Sequence, residues 1–117
     1  MTDNVYWILE AEVQPGKEGG FRSLMKEMVA STRADEAGAL NYEWSADGKV
    51  CHIYERYADC AATMTHLKTF GEKFAGRFGE VLRVTRMVVY GSPSPAVREA
   101  LAGGGAVFMQ EIGGFSR

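Results

Sequence analysis

Cysteine is scarce in this chain. Only Cys51 and Cys60 are present, at a separation that fits neither a zinc-ligand pattern nor a CxxC redox motif. With no stapling to rely on, the protein is expected in a reducing compartment, the cytosol. Runs of one charge are also missing. Thirteen Lys and Arg against fifteen Asp and Glu leave a formal net charge of −2, with no basic cluster inside it, so no nucleic-acid partner is expected. No apolar run is long enough to cross a bilayer, and the acidic start Thr2-Asp3-Asn4 does not read as a secretory signal, so no membrane partner is expected either. No ligand cluster for a metal stands out, and there is no internal repeat of solenoid length.

What is present is enough for one ordered domain. The chain has 117 residues, 46% hydrophobic and 24% charged, which places it among globular proteins with a working core. Val5, Trp7, Leu9, Ala11 and Val13 alternate with Tyr6, Ile8, Glu10 and Glu12, the period-two signature of a half-buried strand. Pro15-Gly16 ends it. Phe21, Leu24, Met25, Met28, Val29 and Thr32 then form one apolar stripe, predicting an amphipathic helix over 17–34.

Residues 39–57 read as a hairpin turning at Asp47-Gly48. That register sets Trp44 opposite Cys51, Tyr42 opposite Ile53 and Leu40 opposite Glu55, and puts Leu40, Tyr42, Trp44, Cys51, Ile53, Glu55 and Tyr57 on the helix-facing side. Asp59 is a good N-cap for a second helix over 60–67, restarting near Thr69 and running to Phe78, with His66, Phe70, Phe74 and Phe78 at i+4 intervals. Residues 81–90 form a fourth strand with apolar residues at both parities, which suggests that a partner chain covers its second face. Residues 92–117 read as a separate tail: Ser94-Pro95 starts a short helix, Gly103-Gly104-Gly105 loosens the chain, and an apolar arm follows that is expected to pack on the body or on a partner subunit.

The order strand, helix, strand, strand, helix, strand is the ferredoxin-like βαββαβ plan, an α+β fold with a four-stranded antiparallel sheet. On that plan several local runs are telling. Pro15-Gly16-Lys17-Glu18 opens the first helix, Glu36-Ala37-Gly38-Ala39-Leu40-Asn41-Tyr42-Glu43 leads into the second strand, Tyr54-Glu55-Arg56-Tyr57 closes the third, and His66 with Phe70 follows on the second helix. Together, over residues 5–90, these resemble the antibiotic-biosynthesis monooxygenase family, including its quinol monooxygenase members. The resemblance implies a domain over 1–91 with an additional arm over 92–117, and a homodimer in which two sheets meet as a dimeric α/β barrel. It also implies a cofactor-independent oxidation of a small phenolic, quinol or polyketide-like aromatic by dioxygen. Where the polyketide-oxidising members carry asparagine and tryptophan on the third strand, this chain has Ile53 and Tyr57. The set of Asn, Trp and His used by haem-degrading members is not matched.

His66 is the first candidate for the chemistry, as the base that takes a proton from a bound phenol or quinol, since imidazole titrates near neutral pH. Tyr57 and Glu55 are candidate catalytic partners on the same sheet face, and Arg86 is a candidate counter-ion for Glu55 and a substrate contact. Tyr42, Trp44, Ile53, Phe70 and Phe74 are candidates to line an aromatic pocket. Against these stand ordinary core packing for the aromatics, a structural ion pair for Glu55, and a satisfied helix-end ring for His66. Two other functions fit the same fold: a non-catalytic module that binds a small molecule, and a structural homodimer with a filled core.

Overall fold

The computed structural model describes residues 2–117. The chain runs β1 (Val5–Val13), α1 (Glu18–Asp35), β2 (Ala39–Asp47), β3 (Val50–Tyr57), α2 (Cys60–Lys73), α3 (Ala75–Val81), β4 (Leu82–Gly91), α4 (Pro95–Ala102) and β5 (Val107–Phe108). The sheet order is β2-β3-β1-β4-β5. The first four strands are antiparallel neighbours and give the expected ferredoxin-like plan. The sheet is five-stranded rather than four, because the arm returns after its glycines and pairs β5 in parallel with β4, with Val88 opposite Val107 and Val89 opposite Phe108.

All the helices lie against one sheet face. The stripe of α1 buries Phe21, Leu24 and Met28 on Ala11, Val13, Cys51 and Ile53, and Phe74, Phe78 and Val81 close that cluster from α2 and α3. A second cluster joins Val5, Trp7, Tyr57, Met87 and Val89 to Val97 and Leu101 of α4. The region after residue 91 therefore contributes to the core before it becomes an arm. Asp59 caps α2 as predicted, its Oδ1 accepting from the Ala62 amide at 2.8 Å. Ser94 Oγ caps α4 in the same way, accepting from the Val97 amide at 3.2 Å. The second helical segment continues unbroken to Lys73, past the expected break near residue 68, and restarts at Ala75.

Three local readings are corrected. The hairpin loop is Gly48-Lys49, not Asp47-Gly48, so Trp44 faces Ile53 and Tyr42 faces Glu55, two residues off the predicted register. An even slip leaves every side chain on its predicted face. Gly48 takes the positive φ of 61° that the first loop residue demands. Leu40 is the exception on the face assignment: a bulge between Ala39 and Asn41 turns it outward, and it is 51% exposed. A second bulge, at Thr85 of β4 opposite Glu10 and Ala11 of β1, explains the two-sided look of β4. It pairs Leu82 and Val84 with Val13 and Ala11, then Met87 and Val89 with Leu9 and Trp7, so both parities of β4 supply the helix side in turn. The outer face keeps a Tyr6–Tyr90 stack, Ile8, Val88 and the ion pairs Glu10–His52 and Glu12–Arg83.

Candidate functional site

At the seam between the two core clusters, β3, α2 and the end of α1 bring four polar side chains together. β3 places Glu55 and Tyr57 two residues apart, hence on one face, pointing at the helices. α2 carries His66 on its buried stripe, just two turns from the Asp59 cap. The last residue of the α1 region, Glu36, is fixed by its own amide donating to the Thr32 carbonyl and by its carbonyl accepting from the Ala39 amide. Thus held, Glu36 Oε1 lies 3.0 Å from His66 Nδ1. On the other side of the ring, His66 Nε2 lies 3.2 Å from Glu55 Oε1, and Tyr57 Oη donates to that same oxygen at 2.6 Å.

The result is one chain, Glu36–His66–Glu55–Tyr57, with Glu36 at 8%, His66 at 6% and Glu55 at 5% exposure. Buried carboxylates need partners, and here each has the imidazole. Burial opposes charge on His66, but the hydrogen bonds to Glu36 and Glu55 outweigh it and raise its pKa to about 9. His66 is therefore an imidazolium at neutral pH, with both ring nitrogens donating. Burial, reinforced by the Glu55 carboxylate, holds the Tyr57 and Tyr42 phenols well above their ordinary values, so both are donors. The Tyr57 and Tyr42 rings flank the imidazole at 4.9 and 5.3 Å between centroids.

A pocket of about 290 Å³ reaches this chain from the junction of α1 and β2. Its walls are Val29, Thr32, Arg33, Glu36, Ala37, Ala39, Leu40 and Tyr42. Glu36 is the single carboxylate among them, and His66 stands behind it. Of the residues singled out in the sequence, Tyr42 alone borders the pocket, while His66, Glu55 and Tyr57 form the chain behind it. Ile53, Trp44, Phe70 and Phe74 are core: Trp44 packs between Phe21 and Phe78, at 6.0 and 6.3 Å. Arg86 is not brought to the site. It pairs across the sheet with Glu10 and is exposed on the far side, so His66 and Tyr57, not Arg86, are the partners of Glu55.

Glu36 was not singled out in the sequence. A signal was there: an acidic residue following Asp35 at the C-terminal end of a helix, where the macrodipole favours cations. Such a placement asks for a compensating positive group, which is His66, thirty residues away. Among the described residues, no group of three or more His, Cys, Asp and Glu side chains is arranged to hold a metal ion. None of the described helices is long and apolar enough to cross a membrane.

The sequence matches the antibiotic biosynthesis monooxygenase family over residues 4–83. Among solved structures, MupZ from Pseudomonas fluorescens superposes with a TM-score of 0.85 at 22% identity, covering 99% of this chain and 96% of that one. Rv0793 from Mycobacterium tuberculosis gives 0.65 at 26% identity, over 80% of this chain and 98% of its own. SnoaB from Streptomyces nogalater, a cofactor-independent oxygenase, gives 0.66 at 14% identity, over 80% of this chain and 96% of its own. The likeness to MupZ thus extends through the helix and arm that follow residue 91. No curated protein matches the sequence.

Proposed function

Because this chain belongs to the antibiotic biosynthesis monooxygenase family, we propose that it oxidises a small phenolic or quinol substrate with dioxygen, as a homodimer and without a metal or flavin. The observation that carries this reading is the buried chain Glu36–His66–Glu55–Tyr57, which meets a pocket of about 290 Å³ at Glu36 and Tyr42. A fold neighbour that is a cofactor-independent oxygenase supports the same chemistry.

The first proton goes to Glu36 rather than to His66. His66 already carries a proton near neutral pH, its pKa being raised to about 9, and it is screened from the pocket by Glu36. A phenol or quinol hydroxyl at the pocket floor hands its proton to the Glu36 carboxylate, and the Tyr42 hydroxyl donates to the oxyanion left behind. The imidazolium keeps the pair of carboxylates from repelling the new anion. The electron-rich anion gives one electron to dioxygen, the two radicals combine to a hydroperoxide, and loss of water leaves one oxygen atom on the ring. For a quinol the sum is quinol plus dioxygen to hydroxyquinone plus water, which needs no other reductant. The proton held by Glu36 leaves with the water.

Oxygen uptake by the purified protein, on a panel of quinols and anthrones, tests the proposal. Uptake above the spontaneous rate is expected, with Glu36→Gln lowering kcat by about 10²-fold or more, as loss of a general base does. The rate is expected to be level through neutral pH and to fall as pH rises through about 9, where the imidazolium is lost. A rate that climbs through that range would instead make neutral His66 the base.

A second reading is favoured by one observation, the His66 ring held between two carboxylates at 3.0 and 3.2 Å. An acid between two carboxylates can give and take protons without any oxidant, so isomerisation or addition chemistry fits the same geometry. Turnover that persists under nitrogen would select it, and saturable binding with no turnover in either gas would select a non-catalytic binding module.

A further inference from the structure

The walls of the pocket say what kind of molecule it accepts. At about 290 Å³ it sits at the small end of ligand sites, room for one or two fused rings. Val29, Ala37, Ala39 and Leu40 form its apolar side. Leu40 is there because of the β2 bulge, which presents an aliphatic side chain to the pocket mouth where regular alternation would have turned it to the core. Bulges that re-aim a side chain are frequent beside functional sites.

Arg33 is the polar counterpart on the rim. Five arginines have partners: Arg77 pairs with Glu27, Arg83 with Glu12, Arg56 with Asn4 and the Tyr6 ring, Arg98 with the Phe108 ring and Arg117 with the Phe115 ring, whereas Arg22 and Arg86 lie on exposed surface away from any cavity wall. Arg33 forms no ion pair among the described residues. Glu36 follows it by three positions, the natural spacing for a helix-surface pair, but Glu36 is turned inward and held by His66. A cation in the last turn of a helix offsets the macrodipole, and that accounts for Arg33 being basic. It does not account for its lying at the mouth of a cavity whose floor is acidic and whose side is aliphatic.

Resting on the reading of this pocket as the substrate site, we propose that the substrate is a small hydroxylated aromatic acid. Its hydroxyl meets Glu36 and Tyr42, its ring lies along Val29, Ala37 and Leu40, and its carboxylate or equivalent anion is held by Arg33 at the mouth. Arg33 is thus a specificity residue: it selects the anion and sets which end of the molecule enters first, since the acidic floor repels a carboxylate.

Two probes test this by isothermal titration under nitrogen, where binding is separated from turnover: 6-hydroxy-2-naphthoate, which carries the anion, and 2-naphthol, which lacks it. The naphthoate is expected to bind the wild type roughly tenfold more tightly than the naphthol, the size of one charge-assisted contact. Arg33→Gln is expected to remove that difference while leaving 2-naphthol unchanged, and Arg33→Lys to restore part of it. Amide shifts on binding are expected within residues 29–42. Equal affinities in the wild type, an unchanged ratio in Arg33→Gln, shifts confined to other residues, or no binding of either probe would each overturn the proposal. Such a failure is separate from that of the oxygenase reading, which uncharged quinols would still test by oxygen uptake; conversely, the expected binding pattern with no uptake would keep this substrate class and remove the oxygenase.

Discussion

His66 owes its charge to residues that are far from it in sequence, and that dependence can be measured. Its folded pKa of about 9 lies above the ordinary 6.5, so its ion pairs stabilise the fold fully below about pH 6.5 and are lost as pH rises through about 9. The shift corresponds to roughly 3 kcal/mol at most. Urea unfolding of His66→Gln is therefore expected to show a deficit against the wild type that is largest near pH 6 and narrower by pH 9.5. A deficit independent of pH would mean that folding leaves the pKa of the ring unshifted. Among the candidate residues, Tyr42, Glu55, Tyr57 and His66 were legible in the sequence because strand parity and helix periodicity put them on inward faces. Glu36 was not, because its burial depends on where the end of α1 meets α2, and no local pattern encodes that meeting. Arg86 went to the far face because the bulge in the β1–β4 ladder shifts the parity of β4.

Elements followed local patterning well where one residue class repeats. The apolar stripe of α1 and the alternation of β1 gave their spans to within a residue or two. Register and bulges were harder, since a slip of two residues keeps all faces intact and costs the hydrophobic pattern nothing. Glycines mark places where the backbone, not the pattern, decides. Gly91 ends β4 with φ +88°, and a Cβ there would run into the Asn4 carbonyl oxygen. Gly91→Ala is expected to cost about 2 kcal/mol or more, from left-handed strain together with that overlap. By contrast, Gly79→Ala in α3 meets nothing within 4 Å and is expected to be neutral or stabilising by up to about 1 kcal/mol. Chemical denaturation of both variants checks the pair, and a similar effect from each would refute the contrast.

For the whole molecule, the open question of the arm becomes a measurable one. Its first part pairs with β4 through β5, and the Phe108 ring lies 4.9 Å from the Arg98 guanidinium. Beyond it, Ile112 is fully exposed and Phe115 is 83% exposed, while the arm stands over the outer sheet face across a groove of about 730 Å³ bordered by Tyr6, Tyr54 and Arg56. Large apolar side chains left bare in a lone chain mark contact surface. In the proposed homodimer these residues and the Tyr6–Tyr90 face meet the second copy. Sedimentation at micromolar concentration is expected to give a dimer, and removal of residues 110–117 to raise its dissociation constant by tenfold or more. A wild-type monomer would remove the barrel arrangement, and an unaffected dimer would return the arm to its own subunit.

The sequence by itself determined the class of fold, the order of the first four strands and two helices, and which faces turn inward, because these follow from periodicities of two and 3.6 residues that any stretch of chain carries. It also held the family's pattern in the runs around Glu36, Tyr57 and His66. Only the tertiary structure decided which inward-facing groups touch. The fifth strand, the burial of Glu36, the positive charge on His66 and the place of Arg33 at the pocket mouth all arise where segments distant in sequence are packed together. A charge in such a place is fixed by its neighbours in space, through burial and hydrogen bonding, and not by its neighbours along the chain.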